Sequence, residues 1–303
     1  MTAMADLQLY LSTLPPETAS AKILEFLDSG RDIPTHLGFK LGPNGLLTEA
    51  PSLRVFLQDY LAQIDRSAAG RYAETILANT NSPDEWAVAL RNYARANPSA
   101  DTTDYLRQKV GQLVLDQSWQ NNPSAGYLEA FDVVVYSHDT SLVPALADLV
   151  RQTDNRAVTQ AAYLTLDRLV MQDPTAVLTQ LLQNPDSMNG RETTRADYFA
   201  RSDVRDPQQK SLLESYLLSP QITATEITSF AQIYPNANVM VSDNLLTQTP
   251  VPSGDELAAR DRQAFETVGA WLADPRFNQL QPQLQTIKSR LAQFISPAAI
   301  SSR

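Results

Sequence analysis

The sequence predicts an all-α protein built from many short helices. Three observations carry this. Apolar side chains recur three and four residues apart through most of the chain. Proline stands at the edges of these stripes, often behind a serine or aspartate that can cap a helix. Glycine is scarce, 10 of 303 residues against 19 prolines, too few for a chain of many hairpins.

The stripes follow one another in order. Leu53, Phe56, Leu57, Tyr60, Leu61 and Ile64 form the first clear one. Tyr72, Ile76 and Leu77 resume it after an expected break at Ser67–Gly70. Trp86, Leu90, Tyr93 and Ala94 come next, then Leu106, Val110, Leu113 and Val114, running on to Trp119. Tyr127, Phe131, Val134 and Val135 follow. Phe131-Asp132-Val133-Val134-Val135-Tyr136 has strand-like composition. It lies in a helical register without a partner strand, so a buried helix is expected. Leu142, Leu146, Leu149 and Val150 lead to Val158, Ala161, Ala162, Leu164, Leu166 and Leu169, then to Val177, Leu178, Leu181 and Leu182. Beyond these come Leu212, Leu213, Tyr216 and Leu217, then Ile222, Ile227 and Phe230. Two longer stripes, Leu257 to Leu272 and Leu280 to Ile295, close the pattern. Ser82-Pro83, Asp173-Pro174, Asp206-Pro207 and Ser219-Pro220 read as helix starts. Asn97-Pro98, Asn122-Pro123 and Asn184-Pro185 read as turns. Such short connections imply antiparallel neighbours.

Residues 139–183 are the most regular. Asp139 is expected to cap a helix containing Leu142-Val143-Pro144-Ala145-Leu146-Ala147-Asp148-Leu149-Val150. The turn Gln152-Thr153-Asp154-Asn155-Arg156 leads to a second helix with Val158, Ala161-Ala162 and Leu166. This unit resembles a HEAT/armadillo-type helical repeat, most clearly over 139–183 and weakly elsewhere. Thr159 stands where the HEAT pattern usually has arginine. The resemblance implies an irregular α-solenoid of stacked helical hairpins with a few long loops, and a binding scaffold as a class. Three regions are expected: N-terminal helices with a Gly/Pro loop over 1–49, the helical array over 50–186, and a C-terminal helical region over 187–303 continuous with it.

Composition limits function. The chain has no cysteine, so disulfides, thiol nucleophiles and cysteine-held metals are excluded. The formal charge of −10 argues against a nucleic-acid or anionic-membrane binder and favours a basic partner. No apolar run is long enough to span a membrane. The start, Met1-Thr2-Ala3-Met4-Ala5-Asp6, lacks a basic and then apolar leader, so no secretion signal is expected. Location stays open, leaning by composition towards a bacterial periplasm over the cytoplasm. Lysine occurs at 22, 40, 109, 210 and 288, which leaves 24 − 5 = 19 arginines, a bias that genome composition alone suffices to explain.

Three segments break the helical pattern, and function concentrates in such places. Gly30 to Ala50 holds His36 and Lys40, as ligand contacts or within a plain connector. Met188 to Asp206 interleaves Arg191, Arg195, Arg201 and Arg205 with Glu192, Asp197, Asp203 and Asp206. Arg191 and Arg195 share a face if the segment is helical, and fork onto an anion or form a solvated, salt-bridged surface. Tyr198-Phe199 is expected to anchor it. Tyr234 to Gly254 is long for a loop. Tyr234, Asn236 and Asn238 are partner-binding candidates there, the asparagines alternatively closing Asx turns. Val239, Met240, Val241, Leu245 and Leu246 are expected to pack it back onto the helices as a brace.

Catalytic signatures are missing from the sequence: there is no P-loop, GxGxxG, GxSxG, HExxH or EF-hand motif. Tyr136 with His138 resembles the proton-transfer pair of α/α-toroid lyases, against a plain helix-terminal histidine. Glu129 and Asp132 form a possible carboxylate pair. No catalytic residue, metal or cofactor is assigned. The expected function is a non-catalytic helical-repeat scaffold for a protein or peptide partner. The alternative is an α/α helical lyase or hydrolase acting on a carbohydrate-type substrate.

Overall fold

The computed structural model describes residues 3–152 and 154–295. Met1 and Thr2 of the start and Thr153 of the predicted turn lie outside the described residues. The protein is all-α, 72% helical with almost no strand. Among the described residues no helix is long and apolar enough to cross a membrane. The chain divides into two compact units, one of Met1–Asp139 with Ser242–Gln248, the other of Thr140–Val241 with Thr249–Arg303.

Unit one holds α1 (Ala3–Ser12), α2 (Pro16–Asp28), a short antiparallel pair β1 (Lys40–Leu41) and β2 (Leu47–Glu49), then α3 (Leu53–Ile64), α4 (Arg66–Asn79), α5 (Pro83–Ala96), α6 (Ala100–Leu115) and the one-turn helices α7 (Gln117–Asn121), α8 (Ala125–Glu129) and α9 (Asp132–Tyr136). The starts are chemically explicit. Ser52, Asp65, Ser82, Ser99, Asp116 and Ser124 each accept a backbone N–H of the first turn, filling donors that the helix itself leaves open. Two predicted boundaries move for this reason. Asp65 alone separates α3 from α4, so Ser67–Gly70 is helix and not a break. Asp116 ends the α6 stripe before Trp119 and starts α7. Phe131–Tyr136 is the expected buried helix. Leu11, Ile23, Leu27, Leu57 and Leu61 fill one core cluster. Trp86, Trp119, Tyr127 and Phe131 form an edge-to-face chain beyond it.

Unit two holds α10 (Val143–Arg151), α11 (Arg156–Gln172), α12 (Pro174–Gln183), α13 (Glu192–Ala200), α14 (Pro207–Leu217), α15 (Ala224–Ile233), α16 (Gly254–Ala273) and α17 (Gln281–Ile295). Asp139 does not cap α10. A single 3-10 turn, Thr140–Leu142, intervenes, and Leu142 stands at the N-cap. Ser219-Pro220 is a turn and not a helix start; the Ser219 hydroxyl accepts the Gln221 N–H, and Thr223 caps α15. The core is aromatic. Phe199 stacks on Tyr216, and contacts pass on through Phe230, Tyr234, Trp271 and Phe277.

Two glycines test this packing. A Cβ at Gly70 would lie 2.3 Å from the Ala96 Cβ, where α4 and α5 meet. Alanine at a helical glycine gains about 1 kcal/mol in propensity. Overpacking a rigid contact costs about 1–3 kcal/mol. Gly70→Ala is therefore expected to destabilise the fold by a net ~1 kcal/mol, read as a lower urea midpoint. Gly254→Ala, with nothing within 4 Å, is expected to leave the midpoint unchanged or raise it.

Candidate functional site

In unit one, parts of two irregular segments pack together. Gly45 has φ +64°, and a Cβ there would lie 2.1 Å from the Leu245 carbonyl oxygen, so only glycine admits the approach. Arg91 is fully buried. Its guanidinium donates to the Gly45 carbonyl at 2.6 Å and to Asp59 Oδ1 at 2.5 Å. Arg95 donates to the carbonyls of Asn44 and Leu245. Asp132 accepts the Leu246 N–H at 2.6 Å, the Thr247 N–H at 3.0 Å and the Thr247 hydroxyl at 2.5 Å. This buried carboxylate holds a backbone segment and is not free for acid–base work. Leu245 is wholly buried, but Met240 and Val241 are 55% and 68% exposed, so the expected packing of the apolar residues holds for only part of the loop.

His36 is exposed at φ 60°, and Lys40 pairs across the strands with Glu49 at 3.7 Å, also exposed. Such a pair adds little to stability. His138 follows α9 in the left-handed region at φ 51°, exposed, and its N–H donates to the Val135 carbonyl. That is the helix-terminal reading of this histidine.

In unit two the Met188–Asp206 segment departs from a solvated surface. Arg191 is the N-cap of α13, with φ −130°, so it does not share a helix face with Arg195. Arg195 is 4% exposed, pairs with Glu226 at 3.0 Å, donates to the Leu181 carbonyl and lies over the rings of Phe199 and Tyr216. Tyr198 is buried, as an anchor should be, and donates its hydroxyl to the Tyr163 carbonyl at 3.1 Å. Arg201, at the end of α13, pairs with Asp167 at 2.5 Å.

The Tyr234 segment begins on this platform. Tyr234 is buried against Phe230. Asn236 donates its N–H to the Ala200 carbonyl at 2.8 Å and its amide to Asp197 at 2.5 Å. Its side-chain oxygen accepts the Asn238 N–H, an Asx turn. The Asn238 carbonyl accepts from Arg201. Asn236 thus shapes the chain through its side chain, and Asn238 takes part through its backbone.

What they shape is the wall of a cavity of about 310 Å³. Arg201, Asp203, Asn236, Glu256 and Arg260 supply its polar lining, and Val170, Met171, Val239 and Val251 its apolar one. Of the eight residues singled out in the sequence, Asn236 alone is on this wall. Arg201 and Asp203 belong to the Arg/Asp run noticed there, whereas nothing local marks Arg260. Arg191 lies on a separate, open groove with Thr159, Gln160, Tyr163 and Asp197. Among the described residues no group of His, Asp and Glu is placed to hold a metal.

Two outcomes test these assignments. Asp132→Ala is expected to speed hydrogen exchange at the Leu246 and Thr247 amides by at least about ten-fold while the α5 amides stay protected. Equal exchange would show that Asp132 is not the anchor. Burial pushes the Asp167 carboxyl up to about 6 despite Arg201 beside it, and nearby Asp197 adds to the rise. The folded state therefore takes up this proton more readily than the unfolded chain, whose carboxyl titrates at about 4. The contribution to stability is full below pH ~4 and is lost as pH rises through about 6. The Asp167 Cγ resonance should titrate with a midpoint near 6; a midpoint of about 4 or below would contradict the assignment.

No protein-family model, curated protein or solved structure matches this chain.

Proposed function

We propose that the protein is a non-catalytic helical scaffold, an irregular α-solenoid of HEAT-like stacked hairpins, that binds a protein or peptide partner through the unit-two cavity. The observation that carries the binding reading is that cavity, whose rim is irregular chain (Asn236–Val239 and Pro250–Pro252) resting on helices. Recognition sites take this form, with adaptable loops on a rigid platform and an apolar wall facing a few fixed polar groups.

The stacking reading is supported by a recurrent spacing. Four inter-helix bonds fall 31–34 residues apart, Arg54 to Glu85 at 31, Lys109 to Leu77 at 32, Tyr163 to Asp197 at 34 and Arg195 to Glu226 at 31, while others such as Gln180 to Thr140 at 40 and Trp271 to Glu214 at 57 depart from it. A helix that meets the next helix but one at a constant separation is what stacked two-helix repeats produce. The net charge of −10 favours a basic partner. The helical-enzyme alternative finds less support, since Asp132 is engaged by backbone and His138 closes a helix.

Val251 lines the cavity and is 66% exposed, so Val251→Asp alters the site without touching the core. Affinity capture from the source organism is expected to recover a partner with the native chain and to lose it with Val251→Asp at an unchanged circular dichroism spectrum. Identical recovery by both proteins would overturn the cavity as the partner site.

A further inference from the structure

Three arginines meet at the corner of this cavity, and their charges are met differently. Arg201 has Asp167 at 2.5 Å. Arg205 forks onto Asp203, its Nε at 2.9 Å and its terminal nitrogen at 2.5 Å, and reaches Glu256 at 3.8 Å. Arg260, in the second turn of α16, has only carbonyls. One terminal nitrogen donates to the Arg201 oxygen and weakly to Ser202 at 3.4 Å. Its Nε is buried with no hydrogen-bond partner, as is that of Arg201, but unlike Arg201 it has no carboxylate of the described residues within 4 Å. The two nearby acids on the wall, Asp203 and Glu256, are already turned to Arg205. The cavity therefore presents one guanidinium with no carboxylate in direct contact, Asp203 compensating its charge only from farther off, beside the aliphatic groups Val239 and Val251.

We propose that this cavity binds a carboxylate carried next to an apolar group, as at the C-terminus of a peptide ending in an aliphatic residue, with Arg260 as the anchoring cation. This rests on the reading of the cavity as the partner site and gives it a chemistry. A guanidinium offers a planar fork of N–H donors that matches a carboxylate, and in a partly dehydrated site such a bond is strong. Burial weakens the hold of Arg260 on its proton; Asp203 opposes this, and Arg201 and Arg205 add to it. An anion placed against it reverses that trend. The acidic surface and this single cation are compatible in one ligand, a basic peptide with a free aliphatic C-terminus.

The test is an NMR titration of the full chain, followed at the Arg260 Nε–H and the methyls of Val239 and Val251. Three probes are used: N-acetyl-lysyl-valine, the same dipeptide as its C-terminal amide, and isovalerate. The free acid is expected to shift these signals saturably, with the amide weaker by about ten-fold or more. Arg260→Gln should abolish that preference. Because Arg260 also supports two backbone carbonyls, Val251→Asp serves as a second variant. It places a like charge at the mouth and should weaken the acid by about ten-fold at unchanged Tm. Isovalerate binding as tightly as the dipeptide acid would support the carboxylate site and assign it to a small free acid. Acid and amide binding equally would overturn the proposal while leaving the cavity as a partner site. No shift from any probe at millimolar concentration would also overturn it, and the capture experiment alone would then judge the scaffold reading.

Discussion

A guanidinium keeps its charge in any environment a protein offers, so every buried arginine forces a decision on its surroundings. Among the described residues four arginines are at least nine-tenths buried: Arg54, Arg91, Arg195 and Arg201. Each is met by a carboxylate from a different helix. Arg54 joins Glu85 and Arg91 joins Asp59, both between α3 and α5. Arg195 joins Glu226 between α13 and α15, and Arg201 joins Asp167 of α11. The pairs are not a free gain, because both charges leave water. Losing one partner, however, strands the other at a cost of about 3–5 kcal/mol. The helices are thereby held in one register, since a slip of a single turn would separate charges that cannot be left alone. Asp59 shows how tight the arrangement is: the Oδ1 that meets Arg91 also accepts the Leu47 N–H at the start of β2.

The same side chains resolve a second difficulty. Irregular chain packed on a helical body has carbonyls without a ladder or a helix to accept from. Arginines fill this role repeatedly: Arg91 at Gly45, Arg95 at Asn44 and Leu245, Arg201 at Asn238, Arg107 at Ser137, and Arg290 at Tyr234. Lysine has one nitrogen at the end of a flexible stem, and a single guanidinium reaches a carboxylate and a carbonyl together. The excess of 19 arginines over 5 lysines, which composition alone leaves without meaning, thus has a structural use in this fold.

What was legible in the sequence follows from distance along the chain. A cap and its helix are three residues apart, so Ser82-Pro83 and Asp206-Pro207 announce their helices directly. The strand-like Phe131–Tyr136 was readable as helix because its neighbours hold the register. Partners 31 or 32 residues away lie on other helices, and local spacing carries no trace of which side chain they meet. For that reason the Arg/Asp run over Met188–Asp206 reads as a solvated surface, although Arg195 and Arg201 are buried. The cavity was half visible. Its loop residue Asn236 stood out as irregular chain, whereas Arg260 sits inside an ordinary amphipathic stripe.

Arg260 gains its meaning from this comparison. In the low-dielectric interior the structure pairs each of the four most buried guanidiniums with an acid, while the half-buried Arg95, Arg260 and Arg290 rest on carbonyls. Of these three, Arg260 lines the cavity, where Asp203 and Glu256 are turned to Arg205 instead. Carbonyl dipoles from Arg201 and Ser202 make the position tolerable without neutralising it. A charge left in that condition gains more from an incoming anion than an exposed one does, because less water must be displaced and the local field is less screened. The interactions that fix the helices and the feature that marks the site therefore follow one rule of charge compensation, kept at the four most buried arginines and relaxed at Arg260 on the cavity wall.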